Sequence, residues 1–190
     1  MGKVETSLIE WGAAALTLPG QSRSGDRQAV MLFPGGALVA VVDGLGHGEL
    51  AAVPAETAIE ALERYAREPV VALIQRCHER LRGTRGAVMS LASFREADST
   101  MTWLGVGNVV GVLLRADPGA VPRQEYLSLR GGVVGDQLPR LDASVHSGRT
   151  RRYADSGERW RSGRLCQKSA SRRITSAGCG PYSGGVCAQN

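Results

Sequence analysis

The stretch ALVAVVDGLGHG, residues 37–48, decides how this chain is read. Its first half is a very apolar β-rich run that ends abruptly in Asp43. A carboxylate at the end of such a strand is expensive to bury unless a cation or hydrogen-bond donors meet it. Its second half alternates glycine with other residues. Gly44, Gly46 and Gly48 allow the backbone to turn sharply and to approach a ligand closely.

Upstream, Ala29–Phe33 is a second β-rich run, joined to the first by Pro34-Gly35-Gly36. Two such runs around a Pro/Gly turn predict a hairpin. Antiparallel pairing returns the chain, so the start of one strand lies beside the end of the next. Asp26, in Ser24-Gly25-Asp26, is therefore expected near Asp43. Two carboxylates and a free backbone carbonyl at one spot suit a hard divalent cation, magnesium or manganese. The same residues also fit a plain Asp-Gly turn after a strand. His47 fits either a site residue or polar filler in the first turn of a helix.

Downstream, Ala55, Ala58, Ile59, Leu62, Tyr65 and Ala66 share one helical face, with Pro54 tolerable only in about the first turn. Pro69 opens a second helix with apolar face Val70, Leu73, Ile74, Cys77 and Leu81, ended by Gly83. Runs 87–94, 100–106, 109–115 and 125–129 read as strands, as does 7–18 at the start. Gly107-Asn108 in GVGN predicts a hairpin and no dinucleotide site, because no helix follows. Gly131-Gly132 and Gly135 fit either a loop near a ligand or punctuation. Strands and helices in blocks predict an α+β fold with antiparallel sheets.

The chain has 190 residues, one domain's worth, and a net charge of +5. That charge is unevenly placed. Residues 1–148 hold 14 Lys+Arg and 16 Asp+Glu, whereas residues 149–190 hold 9 and 2. The first part gives no reason to expect nucleic acid. The second is a basic segment rich in Arg, Ser and Gly, with only Leu165, Ile174 and Val186 as aliphatic residues beyond alanine. It shows no structural period, and it holds too little apolar area to offset its ordering entropy. It is expected to be a disordered tail. Its cysteines, Cys166, Cys179 and Cys187, match no zinc spacing, and Cys77 is expected to be a packed, reduced thiol. No apolar run reaches the length of a membrane span, and the N-terminus lacks a signal-peptide layout. These features predict a cytoplasmic location.

SGD ending at 26, VVDGLGHG at 41–48, WLGVGNV at 103–109 and RGGVVGDQLP at 130–139 together resemble the SpoIIE-type phosphatases of the metal-dependent PPM superfamily. Within that superfamily the set is most similar to the compact RsbX-like branch, which acts on stressosome phosphoproteins. The resemblance covers about residues 5–148. It implies an αββα sandwich, two antiparallel sheets between helix layers, with manganese or magnesium at one end. It implies that Asp43 and the Gly44 carbonyl hold metal, with Asp26 beside them. The implied reaction is hydrolysis of phosphoserine or phosphothreonine by metal-activated water. By its position in the motif, rather than by the resemblance, His47 would either support the metal ligands or act as a proton donor.

The chain departs from the family after position 148. The family continues with a strand, a T-D-G motif, a helix and a final strand; its T-D-G aspartate and a late aspartate complete the metal site. Here Tyr153–Gly157 is the nearest stretch, and no apolar strand precedes Asp155, so the metal role does not carry over to it. The composition of 149–190 is what GC-rich coding DNA yields in a shifted frame, with the slip expected near 147–150. Three functions follow: a metal-dependent phosphatase, a catalytically inactive module that binds phosphoproteins, and a binder of nucleic acid or acidic partners through the basic tail, in that order.

Overall fold

The computed structural model describes residues 8–14, 23–115, 119, 121–147, 164–168 and 185–189. Its elements in chain order are β1 (Glu10–Ala14), β2 (Asp26–Phe33), β3 (Gly36–Gly44), α1 (Glu49–Tyr65), α2 (Val70–Leu81), β4 (Ala87–Arg95), β5 (Thr100–Val106), β6 (Val110–Leu114), β7 (Gln124–Tyr126), β8 (Ser144–Ser147), β9 (Arg164–Lys168) and β10 (Gly185–Gln189). They form two antiparallel five-stranded sheets, β2-β3-β4-β5-β8 and β1-β10-β9-β6-β7.

The apolar run that opened the reading is the pivot of both cores. Successive side chains of a strand point to opposite faces. Leu38, Ala40 and Val42 of β3 pack against the helices, with Ala55, Ala58, Ala61 and Leu62 of α1 and Leu73, Ile74, Cys77 and Leu81 of α2. Ala37, Val39 and Val41 face the other way, into a core shared with Phe94, Met101, Trp103, Val109, Leu113 and Ile9. Alternation therefore serves two apolar layers at once, which is why the run contains no polar residue before Asp43. The alanines of α1 let that helix sit close to the sheet. Among the described residues the layers are thus helix pair, sheet, sheet.

The hairpin is longer than predicted, with β2 beginning at Asp26 itself. Pro54 is the sixth residue of α1, deeper than the first turn. Pro69 caps α2, as its spacing predicts. Cys77 is buried and free, and burial pushes its thiol up to about 12, as expected of an inert packed sulfhydryl.

Three expectations differ from what the structure describes. GVGN is not a hairpin turn: β5 lies in one sheet and β6 in the other. Buried Val109 draws the chain across into the inter-sheet core, and Gly107 takes φ 90 to allow it. Of the first strand, expected over 7–18, residues 10–14 form β1 and residues 8 and 9 precede it, while 7 and 15–18 lie outside the described residues. The basic segment, read as lacking strands, supplies β9 and β10 to the middle of the second sheet. Ladder pairing there joins main-chain groups, so it does not require the apolar alternation by which strands are read. β1 and β6 each offer a row of donors and acceptors that those strands meet.

Candidate metal centre

One end of the first sheet gathers the glycine motifs. Asp26 opens β2, and Asp43 lies directly opposite it near the end of β3. Asp43 in turn faces Val88 at the start of β4. A Cβ placed on Gly107 of GVGN would lie 2.2 Å from Val88 Cγ1, so that crossover passes this end too. The Gly107 amide donates to the Arg130 carbonyl at 2.7 Å, bringing the RGG loop beside it. The four motifs, far apart in sequence, converge here.

The backbone around the two aspartates is tightly held. The Gly44 amide donates to the Gly25 carbonyl at 3.1 Å, and the Leu45 amide to the Gly86 carbonyl at 3.0 Å. A Cβ on Gly44 would fall 1.9 Å from the Ala51 carbonyl oxygen, so only glycine lets α1 begin against the strand end. Gly46 and Gly48 take φ 118 and 58, and the Gly48 carbonyl accepts from the Ala51 and Ala52 amides to start the helix. On the other flank, Arg23 pairs with Glu49 and Glu56 of α1, and Arg27 with Glu56 at 2.6 Å. Those guanidiniums hold the Glu56 carboxyl below its usual range. Arg27 also donates to the carbonyls of Ser24 at 2.6 Å and Asp26 at 3.0 Å. Exposed pairs of this kind contribute little stability; their effect is to strap residues 23–27 onto α1.

Asp43 itself is half-buried, and its carboxylate has no hydrogen bond or ion pair among the described residues. Burial, and then the nearby Asp26 charge, push it up to about 6. An ionised carboxylate in that setting is destabilised until a cation arrives. The donors therefore fit a hard divalent cation: two carboxylates and the neighbouring Gly44 carbonyl, with water filling the remaining positions. Among the described residues no group of three or more His, Cys, Asp or Glu side chains comes together. Asp155 lies outside the described residues.

His47 is exposed on the loop and makes no hydrogen bond or ion pair among the described residues. The second glycine loop is packed rather than open. Gly135 takes φ 106 and donates its amide to His78 Nδ1 at 3.0 Å, and Val134 bridges Ala87. Arg85 is a neighbour of this loop that the sequence does not announce. It stands in a single Thr-Arg-Gly turn with no periodic or spacing signal, yet it reaches the DGLGHG loop: a Cβ on Gly46 would lie 3.5 Å from Arg85 Cδ and 3.6 Å from its Nη1.

A chain solved in work on the bacterial stressosome superposes with a TM-score of 0.77 over 95% of this chain and 98% of its own, at 24% identity. The crystal structure of RsbX in complex with magnesium superposes with a TM-score of 0.76 over 95% and 93%, at 18% identity. The fold is that of the PPM phosphatases. In sequence, the chain is 33% identical over 98 residues to the phosphoserine phosphatase RsbX of Bacillus subtilis strain 168. That match covers 52% of this chain and 49%, about half, of the Bacillus protein. No protein-family profile matches the chain.

Proposed function

We propose that this chain is a metal-dependent phosphatase of phosphoserine or phosphothreonine proteins, acting in stressosome-type signalling in the cytoplasm. The observation that carries the reading is the Asp26–Asp43 pair, opposed at one strand end, where the Asp43 carboxylate has no hydrogen bond or ion pair among the described residues. The RsbX-like fold and the sequence match to a phosphoserine phosphatase support it. Asp26, Asp43 and the Gly44 carbonyl would hold magnesium or manganese. Such an ion, when bound, lowers the pKa of water and offsets charge on phosphoryl oxygens.

The chain's own contribution is placement. The Gly25–Gly44 and Leu45–Gly86 hydrogen bonds fix the loop that carries the Gly44 carbonyl. The Arg23 and Arg27 pairs fix the turn that carries Asp26. His47, exposed beside these groups, is proposed as a peripheral proton donor. A second reading has its own observation: no third acidic side chain joins the pair among the described residues. On that reading the chain binds phosphoproteins without turning them over.

Hydrolysis of a phosphoserine peptide separates the two. The phosphatase reading expects turnover that requires manganese or magnesium, falls at least about 100-fold in Asp43→Asn, and falls far less in His47→Gln. Peptide binding without turnover favours the second. Whether 149–190 forms a unit of its own, in a native or a shifted frame, belongs to the same question; the coding DNA across 140–190 decides the frame.

A further inference from the structure

We propose that Arg85 is a phosphate-binding residue that anchors the phosphoryl group of the substrate at the mouth of the Asp26–Asp43 site. The inference rests on the reading of that site as one that receives a phosphoryl group. It adds a residue from outside the glycine motifs.

Placement comes first. The β3–β4 ladder pairs Gly44 with Ala87, and the Leu45-to-Gly86 hydrogen bond continues it one step further. Arg85 is therefore delivered alongside Gly46, with its side chain lying across that glycine. A residue larger than glycine at 46, φ 118, would be strained and would meet the arginine stem.

The arginine's own backbone is rigid. Thr84 closes a turn onto the Leu81 carbonyl through both its amide, at 3.0 Å, and its hydroxyl, at 2.7 Å. The Gly86 amide then donates to the Thr84 hydroxyl at 3.0 Å, with Gly86 at φ 77. A fixed base under a long side chain reduces the entropy lost when the guanidinium binds.

Charge supplies the rest. Other arginines beside the site, Arg23 and Arg27, are committed to carboxylates. Arg85 is exposed and has no hydrogen bond, ion pair or ring partner among the described residues. A divalent cation cancels the formal charge of two ionised aspartates and leaves the phosphate's own negative charge to be met by another cationic group. An uncommitted guanidinium against Gly46 of the loop offers forked donors matched to two phosphate oxygens. Leu50, 54% exposed, also borders Gly46, its Cβ 3.7 Å from the glycine's would-be Cβ. The anion-binding group thus has an apolar neighbour, suited to chain flanking a phosphorylated residue.

The test is calorimetric titration of inorganic phosphate, with magnesium or manganese present, into the full chain and its Arg85→Ala and Arg85→Lys variants. Arg123→Ala, on the other sheet, serves as control. Alongside it run kcat and KM for a phosphoserine peptide and the thermal shift induced by the metal alone. Arg85→Ala is expected to weaken phosphate binding about 10- to 100-fold. KM should rise by a similar factor, while the metal-induced shift stays as in the parent. Arg85→Lys should recover part of the loss. Unchanged phosphate binding and KM in Arg85→Ala, in a parent that binds phosphate, overturn the role of Arg85 and leave the site reading standing. A parent that binds no phosphate overturns both. A parent that binds phosphate through Arg85 without hydrolysing the peptide supports the role of Arg85 and selects the binding-module reading.

Discussion

At the scale of single residues, Asp43 makes the sharpest statement, because its site opposes its charge. Its carboxyl titrates near 6 in the folded chain, above its unfolded value of about 4. Between those values the native state binds more protons than the unfolded state, so stability falls as pH rises from about 4 to 6. His146 acts in the opposite sense. Burial lowers its pKa, so its contribution is present above the unfolded histidine value and is lost as pH falls through the folded one. The Asp43 term is isolated by comparison with Asp43→Asn. Metal-free, the variant should match or exceed the parent in thermal midpoint above pH 6 and lack the parent's loss across pH 4–6. Adding magnesium should raise the parent's midpoint and leave the variant's unchanged. A parent that loses no stability relative to Asp43→Asn as pH rises through that window would contradict the description of Asp43. The pairing of Asp26 with Asp43 was legible from the hairpin alone, since antiparallel return fixes which residues meet. The placement of Arg85 beside Gly46 was not, because it comes from a ladder step beyond the strand ends, which no local pattern encodes.

At the scale of elements, β5 and β6 show how a turn signal can mislead. Gly-Asn between two apolar runs reads as a hairpin, yet the two strands part company and enclose Trp103 between the sheets. The indole is 1% exposed, and its Nε1 donates to the buried Ser90 hydroxyl at 3.0 Å. Gly111 of β6 makes room for it: a Cβ there would lie 1.9 Å from Trp103 Cζ2. Gly111→Ala should therefore cost about 1–3 kcal/mol through overpacking. Ser90→Ala leaves the indole donor buried and unpaired and should cost about 1–3 kcal/mol. Denaturant unfolding followed by tryptophan fluorescence measures both. A loss under 0.5 kcal/mol, by order of magnitude, in both would mean that the indole is not held as described. The helices were legible from their apolar faces, and β2 to β5 from β-rich apolar runs bounded by turn residues. β7, Gln124–Tyr126, overlaps the run expected over 125–129, whereas β8 is four residues long and largely exposed and leaves no period to read.

At the scale of the whole molecule, the open question is how the basic segment relates to the rest. Its composition predicts an independent tail, while the sheet order sets β9 and β10 between β1 and β6. The two pictures differ in what removal of residues 149–190 does. If β9 and β10 are structural, truncation after Gly148 strips partners from β1 and from one side of β6. Two rows of main-chain donors and acceptors then face solvent as sheet edges, which invite association between chains. The inter-sheet core would lose part of its cover, although Trp103, Phe94 and Met101 would keep their contacts within the first sheet. The expected outcome is a truncated chain that retains the α1–α2 layer on the first sheet, unfolds with a lower midpoint and a lower denaturant slope, and self-associates in sedimentation. A truncated chain equal to the parent in midpoint, slope and monomer mass would show that 149–190 adds nothing to the fold. The second sheet would then rest on β6 and β7, and the aspartate pair would depend on the first sheet and its helices alone. Because Asp26, Asp43 and Gly44 all lie on that first sheet, metal binding should survive truncation better than stability does. A metal-induced thermal shift retained in a destabilised truncated chain is the combined result this architecture predicts.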